Sequence, residues 1–188
     1  MFSLSRSGKA MREVSSERGN EMKVDSLENV LMHELNDLYS AEDQLVEALP
    51  QMADAASNTE LRNAFQQHLE ETRDHRDRIQ HIFGELGKRR TGVECEGMKG
   101  LIGEGEKIIN SSGDAAAKDA ALIGAAQRVE HYEIAAYGTA RTLAGELGMT
   151  DAETLLDQTL EEEAQADKLL TKIATGGMLK AGVNEAAR

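Results

Sequence analysis

The 188-residue sequence predicts an all-α fold, an antiparallel four-helix bundle with one long crossover connection. Apolar residues recur at alternating spacings of four and three, which is the period of an amphipathic helix and not of a strand. The chain has only three Phe, three Tyr and no Trp, and this low count disfavours the aromatic-rich β-sandwiches and barrels. At this length a single domain is expected.

Start and stop signals predict where the four long helices lie. Three of them begin at capping-box spacing, in which the first side chain and a glutamate three residues later satisfy free backbone amides. The pairs are Asp25 with Glu28, Ser57 with Glu60, and Thr150 with Glu153. Glycines 87, 148 and 176 are expected to end helices. The predicted helices cover about 26–54, 58–86, 115–147 and 151–175, and Pro50 should kink the first of them or end it early.

The Gly-rich segment 87–114 is predicted to be the crossover, and its amphipathic stretch near 98–110 a short fifth helix. The other connections are short, so the first two and the last two long helices form antiparallel hairpins. About 28 residues of extended chain easily cover a helix of roughly 42 Å. The second and third long helices can therefore run parallel, which is the topology of ferritin-like bundles.

Three segments are expected along the chain: a disordered tail over 1–24, the bundle over 25–176 and a flexible tail over 177–188. Residues 1–21 are rich in Ser and Arg and lack the apolar stretch of roughly 7–15 residues that a secretory signal needs. Met22 opens a sequence that resembles a natural domain start, and we hypothesise that translation begins there.

Charge and cysteine content exclude several classes of function. The net charge is −13, and a nucleic-acid surface needs a basic patch, so nucleic acid is not an expected partner. No run of 18 apolar residues is present, so no membrane-spanning helix is expected. The one cysteine, Cys95, excludes an internal disulfide and fits a reducing compartment, which predicts a cytoplasmic protein. We expect Cys95 to be a buried structural thiol, with a redox sensor as the alternative.

Polar residues interrupt the apolar stripe near the midpoint of every long helix. In a bundle of similar-length helices the midpoints share one level, whichever way each helix runs. The interruptions are Glu42, the group Glu71, Thr72 and His75, then Glu130, and finally Glu163. Carboxylates from all four helices are therefore predicted to meet at one height inside the core.

Facing carboxylates in a core need a counter-charge, because a buried unpaired carboxylate is costly. Four carboxylates balance two divalent ions, and Glu, Asp and His are suitable ligands for iron or manganese. Each hairpin also gives a lone Glu and then a Glu with a second ligand type four residues later, on the same helical face. The predicted metal ligands are Glu42, Glu71, His75, Glu130, Glu163 and Asp167.

Other side chains near the midpoints have roles that stay open. His68, three residues before Glu71, is a substitute ligand or a donor that orients a carboxylate. Tyr137 is either ordinary core or a hydrogen-bond donor or redox relay near the site. The remaining histidines are predicted to lie on the surface: His33, His81 and His131.

Five segments in order resemble the ferritin-like YciE/YciF family of bacterial stress proteins. They are LNDLYSAEDQLVEALPQM, HLEETRDHRDRIQHIFGELG, CEGMKGLIGEGEKI, AQRVEHYEIAAYGTARTLA and LEEEAQADKLL. The resemblance covers about residues 26–175 and implies a rubrerythrin-related bundle, a homodimer and a di-iron centre. Carried over, the matching acids are Glu42, Glu71, Glu130 and Glu163, and His75 and Asp167 match less closely.

The sequence departs from the wider ferritin-like pattern, which has Glu-x-x-His on two helices. The third residue after Glu71 is Asp74, and the third after Glu163 is Ala166. The sequence is compatible with three candidate functions. The first is a di-iron protein that oxidises Fe(II) with O₂ or peroxide, the second a di-manganese catalase-like enzyme, and the third a non-catalytic helical stress or interaction protein.

Overall fold

The structure is a computed structural model that describes residues 24–177 and 180–188. Its helices are α1 Leu27–Ala55, α2 Thr59–Glu85, α3 Glu96–Ile109, α4 Ala115–Glu146, α5 Thr150–Thr175 and α6 Val183–Ala186. Two short strands, β1 Gly176–Gly177 and β2 Lys180–Ala181, pair antiparallel between α5 and α6. The all-α prediction is confirmed, and every predicted boundary of a long helix lies within one residue of the observed one. The predicted N-terminal tail up to residue 23, with the proposed start at Met22, lies outside the described residues.

The residues that cap the helices differ from the predicted ones. Ser26 caps α1 by accepting from the Asn29 amide at 3.1 Å. Asn58 caps α2, one residue after the predicted Ser57. The capping box predicted at Thr150 is wrong, because Met149 precedes α5 and makes no side-chain cap. Adjacent side chains that can both cap explain the first two shifts.

Gly87 and Gly148 end α2 and α4 in the same way. Their φ angles are 61° and 70°, a region that side chains disfavour. After α4, the Met149 amide donates to the Ala144 carbonyl at 2.9 Å, which is the closing bond of a Schellman motif. The predicted helix ends at these glycines are confirmed.

Pro50 lies inside α1, which continues to Ala55, so the expectation of an early end is wrong. Proline removes one helical hydrogen bond. It is exposed here, whereas Leu49, Met52 and Ala53 on the inner face are buried. The packing of that face holds the last turns of α1 in the helix.

Two apolar clusters divide the core along the bundle axis. The first cluster includes Leu49, Phe65, Leu122 and Leu170. The second cluster includes Leu35, Ile82, Ala140 and Leu156. Because α2 and α4 both begin in the first cluster and end in the second, these helices run parallel, as the long crossover predicts. The predicted fifth helix is α3, and it packs on α1 and α4.

The chain beyond α5 packs on the bundle. Val183 is only 4% exposed and belongs to the first cluster, and α6 contacts α4 and α5. A Cβ atom at Gly182 would lie 2.3 Å from the Thr175 carbonyl carbon, so only glycine fits there. The sequence places these residues in a flexible tail, but among the described residues 180–188 a short helix is docked on the core.

Candidate metal centre

A layer of buried polar side chains separates the two apolar clusters. We call it the polar layer and define it by Glu42 on α1, His68 and His75 on α2, Glu130 and Glu133 on α4, and Glu163 on α5. None of these residues is more than 6% exposed. The predicted interruption of all four stripes is therefore real, although α2 contributes histidines to it and not a carboxylate.

The ligand atoms of the polar layer form two groups that share one residue. The His75 group consists of Glu42, His75 and Glu163. The His68 group consists of His68, Glu130, Glu133 and Glu163, and within each group the ligand atoms lie within 4.8 Å of one another. Glu163 Oε1 lies 2.9 Å from His75 Nδ1, and its Oε2 lies 3.7 Å from His68 Nε2. The two oxygens of one carboxylate thus face different groups, as a carboxylate that bridges two ions does.

Many of these atoms lack a hydrogen-bond partner. Every residue of the polar layer has at least one such buried nitrogen or oxygen, and both oxygens of Glu133 and Glu163 are in this state. An unsatisfied buried polar group costs roughly 1–3 kcal/mol, and charged groups cost more. Their concentration in one layer fits a site that holds cations.

Each histidine is oriented by a carboxylate on its outer nitrogen. His75 Nε2 lies 3.0 Å from Glu162 Oε2, and His68 Nδ1 lies 3.4 Å from Glu71 Oε2. In the neutral form of each ring, a proton on the outer nitrogen would leave His75 Nδ1 and His68 Nε2 with lone pairs that face the groups. Metal-binding histidines nearly always donate their other N–H to such a partner. Both rings are therefore oriented so that their inner nitrogens could hold a metal ion.

Two further contacts fix the surrounding carboxylates. Arg78 donates both guanidinium nitrogens to Glu162, with Nη2 to Oε1 at 3.1 Å, and also donates to the Thr159 hydroxyl at 3.1 Å. The Tyr137 hydroxyl donates to Glu42 Oε1. Tyr137 is fully buried. It is thus a core residue and also a hydrogen-bond donor at the site, so features of both predicted alternatives for Tyr137 are present.

Three acids of the polar layer have a raised pKa, because burial outweighs the effect of the nearby histidines. Burial is the main cause of the raised pKa of Glu42, Glu130 and Glu133. For Glu133, the negative charge of Glu163 adds to the effect. A raised pKa favours the protonated carboxyl, and a divalent cation would compete with that proton.

The pKa values of the two histidines are raised as well, because their rings face negative charge. Burial lowers the pKa of His68, but Glu130 and Glu163 outweigh it and raise the pKa to about 10. Burial also opposes the change at His75, where contacts with Glu163 and Glu42 raise the pKa to about 11. The two histidines in turn lower the pKa of Glu163 to about 2, against the effect of its burial. In the metal-free protein, the positive charges of the two imidazolium rings therefore balance the carboxylates that metal ions would otherwise balance.

Comparison with known proteins identifies the family. Residues 26–186 match the family described as a domain of unknown function, DUF892. The chain belongs to this family. The Escherichia coli protein YciF is 45% identical over 166 residues, which are 88% of this chain and all of YciF. The predicted relationship to YciE/YciF stress proteins is confirmed.

Solved structures of DUF892 relatives share the fold. The crystal structure of the E. coli stress protein YciF matches with a TM-score of 0.77 and 47% identity, over 79% of this chain and 94% of that chain. YcfI from Rhodopseudomonas palustris, for which a structural role has been suggested, matches with a TM-score of 0.78 and 39% identity. That match covers 82% of this chain and 98% of YcfI. None of the described helices is both long and apolar enough to cross a membrane.

Two predicted ligands of this DUF892 chain lie at the rim of the polar layer. The Glu71 side chain is 33% exposed, and the hydrogen bond with His68 lowers its pKa. The Asp167 side chain is 22% exposed and accepts from Gln127 Nε2 at 2.9 Å. Neither acid belongs to the two groups. Glu71 is beside the stripe of α2, where its neighbour Thr72 takes the inward position.

Sequence reasoning missed Glu133 and Glu162. Glu133 is fully buried in the His68 group and lies three residues after Glu130. On a helix, the residues three and four positions after Glu130 both lie on its face, so Glu133 continues the stripe of α4 as well as Ile134 does. The spacing alone could therefore have predicted Glu133. Glu162 precedes a predicted ligand, and no local pattern indicates that it reaches His75 across the bundle.

Cys95 lies outside both groups and has a structural role at the start of α3. It is fully buried, and its Sγ accepts from the Met98 amide at 3.3 Å at the start of α3. Its Sγ also lies 3.0 Å from the Tyr132 hydroxyl. Burial raises the pKa of the thiol, which disfavours the reactive thiolate. The prediction of a buried thiol is confirmed.

Proposed function

We propose that this DUF892 protein is a di-iron carboxylate protein that oxidises Fe(II) with O₂ or peroxide. One observation carries the proposal. Two groups of buried ligand atoms share Glu163, and their inward nitrogens and oxygens lack hydrogen-bond partners. Its membership of a family that includes a stress protein is consistent with a role in limiting oxidative damage.

The donor set fits two divalent ions of iron or manganese. Four carboxylates bring four negative charges, and two neutral imidazoles complete the set. Carboxylate oxygens and imidazole nitrogens suit these metals, whereas thiolates would favour softer metals. The His75 group offers ligands from three residues and the His68 group from four, with Glu163 common to both. Ferritin-like di-metal sites are also built from inward carboxylates and histidines of four helices, although their histidines come from two helices and both histidines here come from α2.

Each residue has a definite part in this function. Glu42 and His75 would hold one ion, His68, Glu130 and Glu133 the other, and Glu163 both. Bound Fe(II) supplies the electrons that reduce the oxidant. Glu162 and Glu71 keep the imidazole rings in the orientation for binding. Tyr137 holds Glu42 by its hydroxyl, and the apolar clusters on either side exclude bulk water.

The test is metal content per chain after purification under low oxygen. We expect about two iron ions per chain in the wild type, as in related di-iron bundles. Glu163→Gln should lose most of this metal, whereas Asp167→Asn on the same helix should retain it. Consumption of O₂ and peroxide by the loaded protein then measures the oxidation. Little bound metal after reconstitution with iron or manganese would refute the proposal.

Manganese is the alternative metal, since the same donors accept it. A purified protein with about two manganese ions per chain, and O₂ release from peroxide, would favour a catalase-like enzyme.

The structural role suggested for YcfI supports a second candidate, a helical stress protein without catalysis. In that case added Fe(II) would leave the melting temperature unchanged, because only ligands that prefer the folded state stabilise it.

A further inference from the structure

A cavity of about 220 Å³ opens between α2 and α5 and reaches the polar layer. Its inner end is formed by His68 and Glu130, which both belong to the His68 group. The cavity therefore leads to one of the two groups, since neither Glu42 nor His75 lines it.

Ala166 is a small residue in the wall of this cavity. It lines the wall three residues after Glu163, at the position where the Glu-x-x-His pattern of ferritin-like sites has a histidine. A methyl group here replaces an imidazole ring. A small side chain thus lies where that pattern has a ligand, in the wall of a cavity that His68 also lines.

The cavity is larger than O₂ or hydrogen peroxide requires. A cavity of about 150 Å³ holds a benzene molecule, and a water molecule takes about 30 Å³ in the liquid. The walls combine apolar side chains with polar ones. The apolar side chains include Phe65, Ala166, Leu169 and Leu170, and the polar ones include Gln67, Glu71, Glu162 and Gln165. The apolar side chains contribute little to binding a small polar molecule but favour one with an apolar body.

We propose that the cavity binds an organic hydroperoxide, with its alkyl body against Phe65, Leu169 and Leu170 and its peroxide group toward His68 and Glu130. This inference rests on the proposed function and names the class of oxidant. In the reaction the O–O bond breaks, two Fe(II) ions lose one electron each, and two protons are taken up. The products are one alcohol, one water and two Fe(III), so atoms and charges balance.

The first experiment measures binding without any redox reaction. Full-length protein loaded with Zn(II), which has no redox chemistry, is probed with tert-butanol by saturation-transfer NMR. We expect transfer to the wild type and its loss in Ala166→Leu, which fills the cavity. The control is Ala135→Leu, which adds the same side chain at an exposed position of α4. Absence of transfer to the wild type, or equal transfer to Ala166→Leu, would overturn the inference.

The second experiment compares two oxidants on iron-loaded protein by stopped-flow absorbance. Ala166→Leu should slow iron oxidation by tert-butyl hydroperoxide at least about tenfold and change the rate with hydrogen peroxide by less than about twofold. An equal loss with both oxidants would mean that the substitution damages the metal centre, and no loss with either would mean that the cavity is not used. Both results contradict the inference.

Two provisions separate the possible failures. If Ala166→Leu fails to fold, Ala166→Val replaces it. This variant fills less of the cavity, so it should slow the reaction with tert-butyl hydroperoxide selectively but by a smaller factor. A wild type that binds tert-butanol but oxidises no iron with either oxidant would refute the proposed function, and with it the role of the hydroperoxide as oxidant. A wild type that oxidises iron with hydrogen peroxide alone would refute only the further inference.

Discussion

At the scale of single residues, Glu163 has the central place in the polar layer. It is the only member of both groups among the described residues, and its two oxygens face different histidines. Glu42, in contrast, belongs to one group and is held there by Tyr137. Substituting these two acids should therefore have different consequences for the number of bound ions.

We expect Glu42→Gln to bind about one metal ion per chain and Glu163→Gln to bind fewer, since Glu163 would serve both sites of the proposed di-metal centre. Metal analysis after anaerobic reconstitution measures both values. If the two variants bind equal amounts, Glu163 is not shared.

The outer partners of the histidines are a second residue-level feature. Glu162→Gln should weaken metal binding by about 10–100-fold, because it removes the charge that orients His75. Glu161→Gln is the matched control, since Glu161 is the exposed neighbour on the same helix. Competition with a fluorescent chelator gives the affinities. Equal affinities for the two variants would show that Glu162 does not act on the site.

At the scale of elements, Asp119 connects the starts of two helices. It is 2% exposed on α4 and accepts from the backbone amides of Ser57 and Asn58, each at 2.8 Å. It also accepts from the Ser57 hydroxyl at 2.5 Å. Asp119 thus satisfies amides at the beginning of α2 and fixes that end of α2 against α4.

Asp119→Ala should lower the free energy of unfolding by about 1–3 kcal/mol, because it removes the charged acceptor of three hydrogen bonds at the beginning of α2. Urea denaturation measures the change. Asp74→Ala, at an exposed position inside α2, is the control and should change stability by less than about 0.5 kcal/mol. A similar stability of both variants would contradict the role of Asp119.

The long helices could be predicted from the sequence because their apolar stripes are local. The period defines each helix, and Gly87 and Gly148 end two of them through a backbone conformation that glycine adopts readily. Burial of Val183 could not be predicted, since it depends on contacts with α4, which is distant in sequence.

The sequence predicts the height of the candidate site along the bundle axis but not every residue that belongs to it. The polar midpoints of the stripes indicate where the layer lies, and Glu42, His75, Glu130 and Glu163 all belong to it. Spacing alone could not decide that His68 faces inward and Glu71 lies at the rim. That depends on how α2 is rotated against its neighbours, which only the packing of the whole bundle determines.

At the scale of the whole molecule, stability depends on two apolar clusters that enclose a charged layer. The clusters favour folding, whereas the polar layer opposes it unless its charges are balanced. In the protein alone, protons provide the balance, and pH should therefore control the stability of the metal-free chain. The predicted homodimer and cytoplasmic location stay predictions.

The metal-free protein should lose stability as pH rises from about 6.5 toward 10. The pKa values of His68 and His75 are raised to about 10 and 11, so their stabilising protons are fully present below the ordinary histidine pKa of 6.5 and are lost as pH passes through the raised values. The raised pKa values of Glu42, Glu130 and Glu133 act in the same direction.

Chemical denaturation at several pH values between 6 and 10, with and without metal, measures this dependence. The metal-loaded protein should show a smaller slope, because ions replace the protons. A metal-free protein whose stability is constant or increases over this range would contradict the assignment of charge in the polar layer.

The shared carboxylate also has a consequence for the order in which ions bind. An ion in the His75 group would displace protons from the layer and fix Glu163 in place, so the second ion would meet an acceptor already positioned for it. Such coupling is reciprocal and makes loading cooperative. Chains would then hold either no iron or a pair, and few would hold one. A pair delivers both electrons that cleavage of an O–O bond requires, whereas a lone Fe(II) delivers one and leaves a radical in solution.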